Sequence, residues 1–77
     1  MENNNNERVI GRITKIQDKE GWGFIYSNDR LFIRFHFSWS NLLHSTKTFR
    51  ELSVDDKVEF TPMKDENGWH ALRIKVL

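Results

Sequence analysis

Gly21-Trp22-Gly23-Phe24-Ile25-Tyr26 and, a few residues on, Ile33-Arg34-Phe35-His36-Phe37-Ser38 decide how this chain is read. In an extended strand, residues i, i+2 and i+4 share a face. Trp22, Phe24 and Tyr26 therefore line one side of the first segment, with Gly23 and Ile25 on the other. In the second, Ile33, Phe35 and Phe37 line one side, and Phe32, Arg34 and His36 the other. Arg and His are seldom buried without a partner, so their side is expected to face solvent. Pairing of the two segments would set the aromatic stripe beside Arg34 and His36. Such a surface of rings and cations suits stacking on unpaired bases. A stripe of Trp, Phe and Tyr is also ordinary core material, because aromatics favour strands and bury well. Gly21 and Gly23 leave no side chain beside Trp22, a sign of close backbone approach or a bulge. Alternation leaves display and burial both open.

Outward from these segments the chain breaks into short extended runs. Val9 to Gln17, with Val9, Ile13 and Ile16, reads as a strand that ends at the turn cluster Asp18-Lys19-Glu20-Gly21. Trp22 to Ser27 follows, then a turn at Asn28-Asp29-Arg30 and a strand from Leu31 to Phe37. Ser38 is expected to cap a helical turn reaching Leu43, and Asn41 to Phe49 is polar and irregular. Lys57 to Met63 alternates, Val58 and Phe60 inward and Lys57, Glu59 and Thr61 outward, with Pro62 marking an edge or a strand end. Glu66-Asn67-Gly68 signals a tight turn. The last run, His70 to Leu77, has Ile74 and Val76 as apolar positions and an ambiguous frame at Ala71 and Leu72. Five short strands and no substantial helix predict an all-β fold closed into a small barrel, since closure removes sheet edges.

Seventy-seven residues support one core, with a stability of roughly 3–5 kcal/mol expected at this size. The absence of cysteine excludes disulfides, thiolate metal sites and thiol nucleophiles. No stretch approaches a membrane span, and the start Met1-Glu2-Asn3-Asn4-Asn5-Asn6-Glu7 is too polar for a signal peptide. A reducing, cytoplasmic setting is expected. Residues 1–8 read as a disordered, Asn-rich leader and residues 9–77 as the folded domain. A formal charge of +1 argues against a binder driven chiefly by electrostatics, so affinity for nucleic acid would rest on stacking.

Taken together, the residues resemble a cold-shock domain, the five-stranded oligonucleotide-binding (OB-fold) barrel of bacterial cold-shock and Y-box proteins. Gly21 to Ile25 resembles that family's first ribonucleoprotein motif, Lys-Gly-Phe-Gly-Phe-Ile, and Ile33 to Ser38 falls on the second, Val-Phe-Val-His-Phe-Ser. Phe49, Leu52, Val58, Phe60, Gly68, Ala71 and Ile74 follow in register, over a match from Gly11 to about Lys75. The loop between Ser38 and Phe49 is several residues longer than in short bacterial members. The resemblance implies an antiparallel OB-fold barrel with one long loop between strands 3 and 4. It also implies that Trp22, Phe24, His36 and Phe37 face single-stranded nucleic acid, with Phe49 at a further stacking position. Under it the display reading of Trp22 and Phe24 prevails.

Departures from the family pattern bear on affinity. A first-strand Trp is Lys15 here, the Lys before the first glycine is Glu20, a Phe of the second motif is Arg34, and a basic residue in the last turn is Asn67. Lys15 keeps a cation, and the planar guanidinium of Arg34 still stacks on a base. Tyr26 and Trp69 offer added rings; Trp39 reads equally as a ring that caps the core. Lys15 and Arg12 are expected to supply charge toward phosphates. His36, His44 and His70 lack metal-ligand spacing, no nucleophile–base set or phosphate-cradling glycine loop is recognisable, and Asp55-Asp56 reads as a solvated turn. The expected function is therefore a non-enzymatic, cofactor-free and metal-free module. It would bind single-stranded RNA or DNA with little sequence preference through Lys15, Trp22, Phe24, Arg34, His36, Phe37 and Phe49. By analogy its role would be that of an RNA chaperone or a regulator of translation or transcription. The alternative is a protein-interaction barrel that has lost strong nucleic-acid binding and contacts a partner through Trp22, Trp69 and the long loop; a monomer is expected under either reading.

Overall fold

The first strand, β1 (Val9–Gln17), is antiparallel to β2 (Trp22–Ser27), which is antiparallel to β3 (Arg34–Ser38). A long connection leads to β4 (Lys57–Asp65), which turns directly into β5 (Gly68–Val76). The computed structural model describes residues 7–27, 33–43 and 48–77. The barrel closes in the order β1-β2-β3-β5-β4, with β4 returning to β1. The expected antiparallel pairing holds at every seam but one: β3 and β5 run parallel, meeting at His36 and His70. A parallel seam requires a long crossover, and the chain from Trp39 to Asn67 supplies it. The asparagine run, the turn at Asn28-Asp29-Arg30, Phe32 and His44 lie outside the described residues.

Alternation builds the core. Ile25 in β2, Phe35 and Phe37 in β3, Val58 and Phe60 in β4 and Ala71 and Ile74 in β5 are fully buried. Val9 and Ile13 join them from β1, and Leu52, from the connection to β4, belongs to the same cluster. Two bulges shift the parity. In β1 the register slips between Ile13 and Lys15, so that Thr14 is extra and both Thr14 and Lys15 are exposed. In β5 the three residues Leu72 to Ile74 oppose a shorter run of β4, and Arg73 takes a left-handed φ of 53°. The ambiguous frame at the start of β5 thus resolves into two frames, Ala71 inward before the bulge and Ile74 inward after it. Pro62 lies within β4 rather than at its end. It is tolerated because pairing with β1 stops at Phe60, leaving β5 as the neighbour there.

Between β3 and β4 the chain makes two single 3-10 turns, Trp39–Asn41 and Phe49–Glu51. Each is closed by a side chain that reaches back to the residue before the turn. The Ser38 N–H donates to Asn41 Oδ1 at 2.9 Å, and the Thr48 N–H to Glu51 Oε1 at 2.9 Å. The turn at Asp55-Asp56 is tied to β1: Asp55 N–H donates to the Ile13 carbonyl at 2.7 Å, and Ile13 N–H to the Asp56 carbonyl at 3.0 Å. In the β4–β5 turn, Asp65 Oδ1 accepts from Asn67 N–H at 2.8 Å, and Gly68 takes a φ of 120°. No helix among the described residues is long and apolar enough to cross a membrane.

Candidate nucleic-acid interface

The interface begins at a glycine. Gly21 adopts a φ of 80° and its N–H donates to the Gln17 carbonyl at 2.8 Å, reversing the chain into β2. From there Trp22, Phe24 and Tyr26 point outward from the barrel, Trp22 and Phe24 half-buried and Tyr26 exposed. The register places Phe24 beside His36, Tyr26 beside Arg34 and Trp22 beside Ser38. Stripe and cations therefore share one face.

The rings form a connected cluster. Trp22 meets the edge of Phe24 at 5.4 Å and stacks with His36 at 5.7 Å, while Phe24 and His36 meet edge to face at 5.8 Å. His36 continues to His70 of β5 at 5.6 Å. The Lys15 ammonium sits 5.6 Å over Trp22, and the Arg34 guanidinium 4.6 Å over Phe24. These contacts hold the rings in place before any ligand arrives, which lowers the ordering cost of stacking. Gly23 is required beneath them. A Cβ there would point inward, 2.3 Å from the Lys15 carbonyl oxygen and 2.9 Å from the Phe37 ring. Its role is close approach of β2 to β1 and the core, so its missing side chain does not open space beside Trp22.

Burial holds His36 below the usual imidazole range, and the neighbouring His70 adds to the effect. At neutral pH His36 is thus an uncharged ring, suited to stacking and to a hydrogen bond with a base edge. His70 Nε2 lies 3.1 Å from Asp65 Oδ1. The Asp65 carboxyl is lowered first by the Asn67 backbone N–H and further by His70. Arg12 is exposed, lies opposite Tyr26 in the β1–β2 register and donates to the Asp55 carbonyl at 3.1 Å. Among the described residues no group of His, Cys, Asp and Glu is placed to hold a metal ion.

Of the residues expected at the site, Lys15, Trp22, Phe24, Arg34 and His36 come together. Phe37 does not. Its side chain is fully buried, packed against Gly23 and 5.9 Å from the Phe49 ring. The reason is parity: Phe37 follows Phe35 by two positions on the same strand, so both face inward. The alternation of the second segment puts Phe37 with Phe35, and only the family resemblance implies a surface position for it. Phe49 is half-buried against the core rather than displayed. Trp69 is turned edge-on to the core residue Phe35 at 5.6 Å, with the Lys64 ammonium 5.9 Å from its ring.

One ring of the cluster is not legible in the sequence, and one open reading is decided by the structure. His70 completes the ring cluster, and the ambiguous frame of β5 concealed it. Trp39, which reads from the sequence either as an added ring or as a core cap, is 65% exposed. Strand parity would turn residue 39 inward, but β3 ends at Ser38 and the 3-10 turn carries Trp39 out.

A closed five-stranded barrel that displays clustered rings on β2 and β3, with cations from β1 and β3 over them, is the architecture of an OB-fold nucleic-acid binder. Residues 9–77 match the model of the 'Cold-shock' DNA-binding domain, and the chain belongs to that family, whose fold binds nucleic acid. No curated protein sequence matches it significantly.

Proposed function

We propose that this protein binds unpaired RNA or DNA with little sequence preference, by stacking bases on Trp22, Phe24 and His36. The observation that carries the reading is the contact of these three rings, 5.4 to 5.8 Å apart on one outward face, flanked by Lys15 and Arg34. Aromatic faces accept every base, so this geometry favours tolerance over selectivity. Arg34 and Lys15 already lie over ring faces, where they meet incoming phosphates or sandwich a base. The near-neutral chain makes phosphate attraction a minor contributor. By holding bases unpaired the domain opposes hairpins, the physical basis of an RNA-chaperone or translational role. The module acts as a binder without catalysis.

The test is an anisotropy titration of labelled single-stranded RNA and DNA at low and moderate salt. Saturable binding with a shallow salt slope is expected, weakened by about 1–3 kcal/mol in Trp22→Ala or Phe24→Ala. If both variants stay folded and bind like the parent, the platform is not where bases stack. If the parent binds no strand at any salt, the departures at Lys15, Glu20 and Asn67 have emptied it.

A further inference from the structure

Trp39 is a large apolar ring standing 65% exposed, the most exposed large apolar side chain among the described residues. Its pose is held at two points. The Trp39 N–H donates to the Gly21 carbonyl at 2.9 Å, and the ring lies so close to Gly21 that a Cβ there would sit 2.9 Å from Trp39 Cδ1. The ring also has a defined neighbourhood: it lines a cleft between the β1–β2 turn and the second 3-10 turn, with Lys19, Glu20, Thr48, Phe49 and Arg50. Lys19 and Arg50 bring cations to this cleft, while Asp18 and Glu20 bring opposing charge. Finally, the cleft continues the platform. Ser38 pairs with Trp22, so Trp39 begins one residue past the end of the ring stripe, and Gly21, on which its ring rests, directly precedes Trp22.

We infer that Trp39 is an added stacking position, taking the base that follows the one on Trp22 along the same strand. The inference rests on the platform reading above. It gives the exposed ring a ligand where Phe37 is fully buried and Phe49 packs partly against the core. A ring already fixed by Gly21 loses little freedom when a base covers it. The Lys19 and Arg50 side chains are placed to meet the phosphates on either side of that base, and the acidic neighbours keep their contribution modest.

The experiment compares the parent with Trp39→Ala and Trp39→Phe on oligothymidylates of increasing length, with thermal melting to establish that each variant is folded. Trp39→Ala is expected to bind short oligomers like the parent and to lose about 5- to 150-fold on oligomers long enough to pass Trp22, the usual range for one stacked base. Trp39→Phe should recover most of that loss. The Trp39 indole Nε1–H resonance should shift with the long oligomer and stay in place with the short one. Parent-like binding of Trp39→Ala at every length overturns the inference while leaving the platform intact, and so does an equal loss at every length. Parent-like binding by Trp22→Ala as well removes the platform and this position with it.

Discussion

Replacement of Gly23 by alanine tests whether the site and the core are joined as described. The added methyl would lie 2.3 Å from the Lys15 carbonyl oxygen and 2.9 and 3.0 Å from two atoms of the Phe37 ring. A carbon and an oxygen not bonded to each other rest about an ångström farther apart than the first of these. The two obstacles are unequal. A ring can tilt, but the Lys15 carbonyl belongs to the backbone of β1, held between the bulge at Thr14 and the Ile16–Gly23 pair. Relief requires β1 and β2 to separate, so the cost belongs at the upper end of the overpacking range, about 3 kcal/mol. That is most of the roughly 3–5 kcal/mol expected for a domain of this size. In urea, followed by tryptophan fluorescence, a slope near 1 kcal/mol/M would move the midpoint down by about 3 M. Adding Phe37→Leu clears the ring but not the carbonyl, and should restore little. A Gly23→Ala midpoint within about 0.5 M of the parent refutes the close approach of β2 to β1. Full rescue by Phe37→Leu would show that the ring, and not the backbone, sets the limit.

Two further outcomes follow from the same geometry. Phe37→Ala should cost about 3–5 kcal/mol, as for a fully buried ring, and leave the chain largely unfolded by circular dichroism; a folded Phe37→Ala that merely binds oligonucleotides less well would put this ring on the surface after all. His36 should titrate below its ordinary value of 6.5 by NMR, and His70→Gln should raise it only part of the way, because burial is the larger cause. With its folded pKa depressed, His36 binds fewer protons in the native than in the unfolded chain. Its contribution to stability is therefore unchanged above pH 6.5 and is lost as pH falls from there through the folded value. An unmoved His36 in His70→Gln would remove the His36–His70 coupling.

Side-chain parity within a single strand is a local property, and the amino-acid sequence determined it. The division of β2 into one side with Trp22, Phe24 and Tyr26 and another with Gly23 and Ile25 was readable from residue order, as was the placing of Phe35 and Phe37 on one side of β3. Which side of β2 faces out came from the family resemblance and not from alternation. The paired motifs and their spacing also carried the fold, because the barrel needs those strands at those intervals. What residue order does not contain is where a strand stops or slips against its neighbour. Thr14 is extruded because β1 must pair with β2 while the Asp55-Asp56 turn holds its Ile13 backbone, and that bulge turns Lys15 toward Trp22. Arg73 flips the frame of β5, and the parallel seam with β3 brings His70 to His36. The end of β3 at Ser38 releases Trp39 onto Gly21. Each of these depends on backbone hydrogen bonds between segments distant in sequence. The tertiary structure alone therefore decided which rings, beyond the first stripe, stand at the surface.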